Sequence, residues 1–449
     1  MGLQVPLLGC DGFAPFSFPP RHAKLNMKTK QLTVATILTC VLASTFLCRA
    51  QTILSGNISG TWSPSGNPYI IPDNATVPGG QTLTIQPGVV VWIGEGLSIT
   101  VEGNIQAIGT ASQPITIQAP ITSQYWNEIL LYNTETNRFQ YCDFLNATNA
   151  ILITYPGLVD VMNCTFSNCV SSAIVDDVGT GGQTNLVVEN CLFSGTGSGC
   201  VFSGGSASAF ISANIFNNLS GTAILIQNQS QSDVVAINNA IVNCVGGVNV
   251  DNYGYAQIQS CIFKGCTVAV TGSSASPTVS YNDFFGNTTN FIGYPSTYGT
   301  PIILNRNGTS CDLLYNIFQD PQFVSATDFQ LQGTSPCIDA GEGSPANFDT
   351  CFPPSLGTVT NDIGAYGGPN ACQWIYPAPS NILTLAIAPY VGVTINPPSA
   401  GHYELEYASK LAGTNNWIQL TNMDLSAPFL YTEPASSPAR FYRAVQVSP

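Results

Sequence analysis

The sequence predicts an all-β chain, a parallel β-helix followed by a small β-sandwich. Three observations carry this expectation: a short phrase repeated at solenoid spacing, an inside–outside alternation ahead of each repeat, and a composition unsuited to exposed helices. The phrase is a strand, a small polar residue, then Cys, Asn or Ala, any residue, and Phe or Val. It occurs as Tyr141-Cys142-Asp143-Phe144, Asn163-Cys164-Thr165-Phe166, Asn190-Cys191-Leu192-Phe193, Ala213-Asn214-Ile215-Phe216, Asn239-Ala240-Ile241-Val242, Ser260-Cys261-Ile262-Phe263 and Tyr281-Asn282-Asp283-Phe284. The anchors 142, 164, 191, 214, 240, 261 and 282 are separated by 22, 27, 23, 26, 21 and 21 residues, in the range of a solenoid coil and too short for a propeller blade.

Three residues before the anchors stand Phe139, Val161, Val188, Ile211, Ile237, Ile258 and Val279, all apolar. The next residue in each coil is Gln140, Met162, Glu189, Ser212, Asn238, Gln259 or Ser280, nearly all polar. A period of two sends the first set inward and the second to the outer face of a sheet. The anchor and the residue two beyond it form a second inward pair past a corner, so stacked coils about 4.8 Å apart build an interior Phe ladder. With 42 Gly, 30 Pro and only 8 % charged residues, the chain has little from which to make solvated helices. Asn at the corner positions 163, 190 and 239 suits a ladder whose side-chain amides satisfy backbone groups where the chain turns.

Two segments carry a family resemblance. Trp62, Tyr69 and Thr82-Leu83-Thr84-Ile85-Gln86-Pro87-Gly88-Val89 resemble the opening coils of bacterial secreted right-handed β-helix proteins, the pectate-lyase-like superfold. Thr334-Ser335-Pro336-Cys337-Ile338-Asp339-Ala340-Gly341 and Asn361-Asp362-Ile363-Gly364-Ala365-Tyr366-Gly367-Gly368 resemble its closing segment. The resemblance implies a right-handed parallel β-helix over residues 51–376 with an N-terminal cap and a C-terminal closing segment. It leaves activity open, because this scaffold carries lyases, hydrolases, adhesins and spacers.

Met27-Lys28-Thr29-Lys30, the apolar run Leu32 to Leu47 and Cys48-Arg49-Ala50 form the three parts of a secretory signal peptide over residues 27–50, with residues 1–26 expected to be a start-site artefact. The expected product is secreted or held at the cell surface, without a transmembrane span. Beyond residue 50 remain six basic and twenty-four acidic residues, a balance of −18 that argues against a nucleic-acid partner. Residues 377–380 read as a linker, and residues 381–449 hold six short strand candidates of a sandwich. Tyr403-Glu404-Leu405-Glu406-Tyr407, Trp417 and Arg440-Phe441-Tyr442-Arg443 resemble a fibronectin-III-like module, which implies a spacer or surface attachment, with Trp417 expected in its core. A monomer is expected.

Twelve cysteines follow residue 50. Cys142, Cys164, Cys191 and Cys261 occupy the inward anchor and are expected as buried free thiols. Cys311, Cys337, Cys351 and Cys372 lie outside the regular coils and are the disulfide candidates. Only His22 and His402 are histidines, which argues against a His/Cys zinc site and a Ser-His triad. The same scarcity removes the Gly-His-Gly signature that the resemblance to polygalacturonases would imply.

Basic residues between 51 and 376 are Arg138, Lys264 and Arg306 alone. Arg138 stacks in register with Asp160 and reads as a ladder ion pair, and Lys264 reads as an ordinary corner residue. The resemblance to polysaccharide lyases implies a Lys or Arg base with Ca2+ or Arg at a uronate, chemistry for which few groups are present. The remaining constellation is acidic. Asp176 and Asp177 lie in a lengthened coil, Asp233 follows a second lengthening at Asn228 to Asp233, and Asp251, with Tyr253 and Tyr255, falls one coil further. Asp176, Asp177, Asp233 and Asp251 are expected at one edge, as a weak Ca2+ site or as paired carboxylates for glycoside hydrolysis. Solvated turn aspartates are the plain alternative. Eight Asn-x-Ser/Thr matches, Asn57 and Asn74 among them, carry no weight with a bacterial-looking signal. The functional expectation is carbohydrate-associated binding or adhesion, with a polysaccharide lyase or glycoside hydrolase, or a purely structural spacer, as the alternatives.

Overall fold

Three sheets of parallel strands wind into a β-helix from Thr52 to Ile292, two of eleven strands and one of ten. The computed structural model describes residues 51–374 apart from 180–181, 228–231, 252–253 and 273–277, and further 384–388, 392–396, 401–408, 417–425, 429–432 and 441–447. The expected signal peptide, the start-site artefact, the linker 377–380, Tyr253 and the stretch from Asn228 to 231 lie outside the described residues. In each coil a strand of the third sheet, such as Leu158–Met162, leads to the first sheet, Thr165–Ser167, and then to the second, Ser172–Asp176.

The interior follows the alternation in the sequence. Phe144, Phe166, Phe193 and Phe216 stack with centroids 4.8, 4.8 and 4.5 Å apart, and the stack resumes at Phe263 and Phe284, 4.9 Å apart. Trp62 stacks on Tyr69 at 4.6 Å in the opening coils. On the outer face of the third sheet Arg138 Nε donates to Asp160 Oδ2 at 3.0 Å, the expected ladder pair.

Each coil from Tyr141 to Gly286 bends twice through the left-handed region. Tyr141, Asn163, Asn190, Ala213, Asn238, Ser260 and Tyr281, with φ between 50° and 58°, turn the chain from the third sheet into the first. Five residues later Asn146, Asn168, Gly195, Asn218, Asn243, Gly265 and Gly286 turn it into the second. Asn tolerates this backbone because its short side chain bonds locally, and Gly because it has no Cβ.

These corners correct one anchor. The strand at Ile215 pairs with Ala240, and that at Ile262 with Ala240 too, so the residue aligned with Asn214 and Cys261 is Asn239. The inward residue of that coil is therefore Ala236, paired with Ile211, while Ile237 points outward. Hydrogen bonding explains why Asn and Cys share the anchor. Cys191 N–H donates to Asn214 Oδ1 at 2.8 Å, Asn214 N–H to Asn239 Oδ1 at 3.0 Å, and Asn239 N–H to Cys261 Sγ at 3.4 Å. In the other direction Asn214 Nδ2, Asn239 Nδ2 and Cys261 Sγ donate to Val188, Ile211 and Ala236 carbonyls. The anchor thiols are free and buried as expected, and they act as hydrogen-bonding groups as well as apolar ones.

Beyond Ile292, residues 312–318 add a partial rung to the end of the first sheet, with Ile317 bridged to Asp283 and Asn316 Oδ1 accepting the Asn282 N–H, and residues 321–374 form an irregular strap over the outside of that sheet. Cys337, Ala340, Ile363 and Ala365 of the strap pack on Ile215, Ala240, Val242 and Ile262. Gly364 N–H donates to Ser260 O, and Asn370 Nδ2 to Glu189 Oε1 and Ser212 Oγ at 2.8 and 2.7 Å. Cys351 and Cys372 form a disulfide, whereas Cys311 and Cys337, the other two candidates, are buried free thiols.

At the C-terminus six strands form two three-stranded antiparallel sheets. Ile395 of one and Tyr403, Leu405, Leu425 and Ala444 of the other share a core. Trp417 is not in that core. It is half-buried, with the Arg443 guanidinium 4.4 Å over its ring and Arg443 Nε donating to Glu406 Oε2 at 2.6 Å.

The anchor chemistry predicts a graded response. Asn239→Leu leaves the buried Asn214 N–H without its acceptor and should cost about 3 kcal/mol, whereas Asn239→Cys keeps donor and acceptor and should cost about 1 kcal/mol. Urea unfolding of the two variants checks this; equal losses would mean that the anchor is filled by size alone.

Candidate functional site

The turns from the second sheet to the third are the variable part of each coil, running over 132–135, 154–157, 177–182, 203–205, 227–232 and 251–254. The four acidic candidates sit at this edge but do not assemble. Asp176 lies at the end of Ser172–Asp176 and continues the inward row, paired in register with Ile153 and Phe202. Only 3 % of it is exposed. Its Oδ1 accepts Val178 N–H at 3.4 Å, and Oδ2 has no partner, so burial pushes the carboxyl up to about 7. A side chain turned into the core cannot serve a surface cation or substrate.

Asp177 is exposed and accepts a hydrogen bond from Ser203 Oγ at 3.1 Å. Asp177, Ser203, Gln227 and Asp251 take successive rungs, each N–H bonding the carbonyl one coil back. Three coils at about 4.8 Å put Asp251 roughly 14 Å from Asp177, whereas Ca2+ draws its oxygens within about 2.6 Å. Asp233 begins a strand of the third sheet, past the turn, between Ser208 and Tyr255. Among the described residues no three His, Cys, Asp or Glu side chains converge as a metal site.

The same edge carries clefts two coils nearer the N-terminus. Three neighbouring clefts of about 430, 360 and 410 Å³ run along it and share residues from one to the next. Glu102 and Glu135 line the first two, and Tyr132 and Tyr155 the second and third. Asn104 and Gln106 extend the first, and Val178 closes the third. The tyrosine rings lie 5.1 Å apart at 54°, and the residues are 52 % and 43 % exposed.

Register explains this arrangement. Tyr132 N–H bonds Val101 O and Thr154 N–H bonds Leu131 O, so Glu102, Tyr132 and Thr154 share one rung position. Tyr155 is one residue further, which tilts the rings instead of stacking them. The turn at 132–135 is braced from below: the buried Asn133 Oδ1 accepts the Glu135 N–H and Asn137 Nδ2, both at 2.9 Å, and Asn133 Nδ2 donates to Val101 O. That fixes the backbone under Tyr132 and Glu135. The available signal was an aromatic in consecutive turns, Tyr132 and Tyr155, outside the repeated phrase.

Basic groups elsewhere in the β-helix are engaged. Besides the Arg138–Asp160 pair, Lys264 Nζ donates to Asp320 Oδ1 at 2.7 Å, where it holds that carboxyl below its usual range. Arg306 sits beside Glu342 and contributes to lowering its pKa.

The family model described as right handed beta helix region matches residues 91–216 and 149–308. No curated protein matches the chain. The matched coils and the three parallel sheets make this a right-handed β-helix repeat protein. The fold is consistent with a pectate-lyase-like superfamily protein, and it does not by itself specify an activity.

Asp176 has a pH signature. Its folded pKa of about 7 lies above the unfolded value of about 3.9, so its carboxyl costs nothing below about pH 4 and removes stability as pH rises from there to about 7. The loss is on the order of 4 kcal/mol for this 3 % exposed group. Asp176→Asn should flatten urea-measured stability across that window; an unchanged profile would place the carboxyl in water.

Proposed function

We propose that the protein is secreted or displayed at the cell surface and binds a polysaccharide along the edge between the second and third sheets. The observation that carries this reading is the exposed Tyr132–Tyr155 pair set in a line of contiguous clefts. Exposed aromatic faces pack on the apolar faces of sugar rings, and carboxylates and amides at the rim accept and donate to hydroxyls. Glu102, Glu135, Asn104 and Gln106 supply those groups. The signal-like segment 27–50 supports the location, and the C-terminal sheets, similar in sequence to a fibronectin-III-like module, suit a spacer.

A hydrolytic reading rests on Glu102 and Glu135 facing the first two clefts together, since a pair of carboxylates is what glycoside hydrolysis uses. A uronate lyase has less support, because Arg138 and Lys264 each already hold a carboxylate.

Affinity electrophoresis of the mature chain through a panel of polysaccharides, with and without EDTA, tests binding. Retardation by at least one glycan is expected, and Tyr132→Ala/Tyr155→Ala should weaken it about tenfold or more, while Val170→Ser, at a 56 % exposed site away from the clefts, should not. Equal retardation of both variants would remove the site. Release of reducing ends by the wild type, lost in Glu135→Gln, would turn the binding reading into the hydrolytic one.

A further inference from the structure

We infer that the ligand of this edge is a cationic glycan, a polymer of unacetylated amino sugars such as glucosamine. This inference rests on the glycan-binding reading above and names the substrate class. Both glutamates of the clefts are exposed, and neither carboxylate has a hydrogen-bond or ion-pair partner among the described residues. No Lys or Arg lines any of the three clefts. The nearest basic side chain in the coil, Arg138, points along the third sheet to Asp160. The cleft therefore presents negative charge without an internal counter-ion.

The tyrosines add to this preference independently of the carboxylates. An aromatic face attracts an ammonium within about 6 Å of its centroid as well as an apolar sugar face. Two such faces, with Glu135 beside one of them, offer each protonated amino sugar both a π-surface and a carboxylate. The wider field agrees, since the chain beyond residue 50 carries −18 and repels uronate or sulfated polymers at a distance. A neutral glycan would meet the aromatic faces but no electrostatic attraction, and its use of the site would leave the two unpaired glutamates without a role in selection.

Geometry sets the direction of the chain. Glu102, Tyr132 with Glu135, Tyr155 and Asp177 lie on four successive coils. The coil rise of about 4.8 Å is close to the length of one sugar in an extended polymer, so the polymer runs along the helix axis with about one sugar per coil.

The test compares a glucosamine hexamer with an N-acetylglucosamine hexamer and a galacturonic acid hexamer by calorimetry at about pH 6. The glucosamine hexamer should bind at least about tenfold more tightly than the acetylated one, with affinity falling as salt is added, and the galacturonate should not bind. Glu102→Gln/Glu135→Gln should bring the glucosamine hexamer down to the level of the acetylated one while far-UV circular dichroism stays that of the wild type. Equal binding of the two amino-sugar hexamers, or an undiminished affinity in the double variant, overturns the charge inference and leaves glycan binding standing. Absence of binding to every hexamer and every polysaccharide of the panel overturns both.

Discussion

The coils from Tyr141 onward depend on satisfying the backbone at the corner between the third and first sheets. A left-handed residue there swings the next N–H inward, away from water and from the regular ladder, where an unpaired donor costs about 1–3 kcal/mol. The anchor of the following coil accepts it, and the same anchor donates to a carbonyl of the preceding coil, as Asn214 does between Cys191 N–H and Val188 O. A small side chain with both a donor and an acceptor fits, which is why Cys or Asn stands at each of 142, 164, 191, 214, 239, 261 and 282. The thiol needs no disulfide to be useful, and a buried environment pushes Cys261 above the usual thiol range, keeping it protonated as the donor to Ala236 O.

That constraint made much of the β-helix legible from residues alone. The Phe row, the inward apolar row and the Arg138–Asp160 pair follow from period and register. The one slip, at Ala240, has a physical origin: Ala240-Ile241-Val242 mimics the Cys-x-Phe phrase, while the true anchor Asn239 stands behind another Asn. One residue of slip reverses every face in that coil, exchanging Ala236 for Ile237. The strap left a trace as well. Outward residues of the first sheet are Asp143 and Thr165 where water reaches them and Leu192, Ile215, Ala240 and Ile262 where the strap lies over them, with the buried Asp283, bonded by the strap, ending the row. That change of polarity at a fixed register position is a signature of a covered face.

The strap holds itself by a different means, since it has two short 3-10 turns and little pairing of its own. Its backbone donors end on carboxylates. Asp349 accepts from Asp362 and Gly368, and Asp362 accepts from Asp339 at 2.8 Å and Leu356 at 2.7 Å. Burial pushes Asp349 up to about 7 and raises Asp362, with the Asp349 charge adding to the effect. Asp283, under the strap on the first sheet, goes to about 8 for want of water, with Gln319 N–H and Cys337 Sγ as its donors. These buried aspartates are thus part of the strap's own structure.

The candidate site was less legible because it occupies the part of the coil that the stacking does not dictate. Two of the three corners are fixed by left-handed residues and inward anchors, and the outer face of the first sheet is closed by the strap over much of its length. What remains free to vary is the turn between the second and third sheets, three to six residues long in the coils from 132 to 254. Variation in length drew attention to Asp176 and Asp177, but length reports only where extra chain is accommodated. Exposure of a large side chain with no structural duty is the better sign, and Tyr132 and Tyr155 show it on adjacent coils. Their separation is set by the coil rise and their tilt by a one-residue offset, so the same backbone repeat that builds the core also spaces the aromatic groups at the surface.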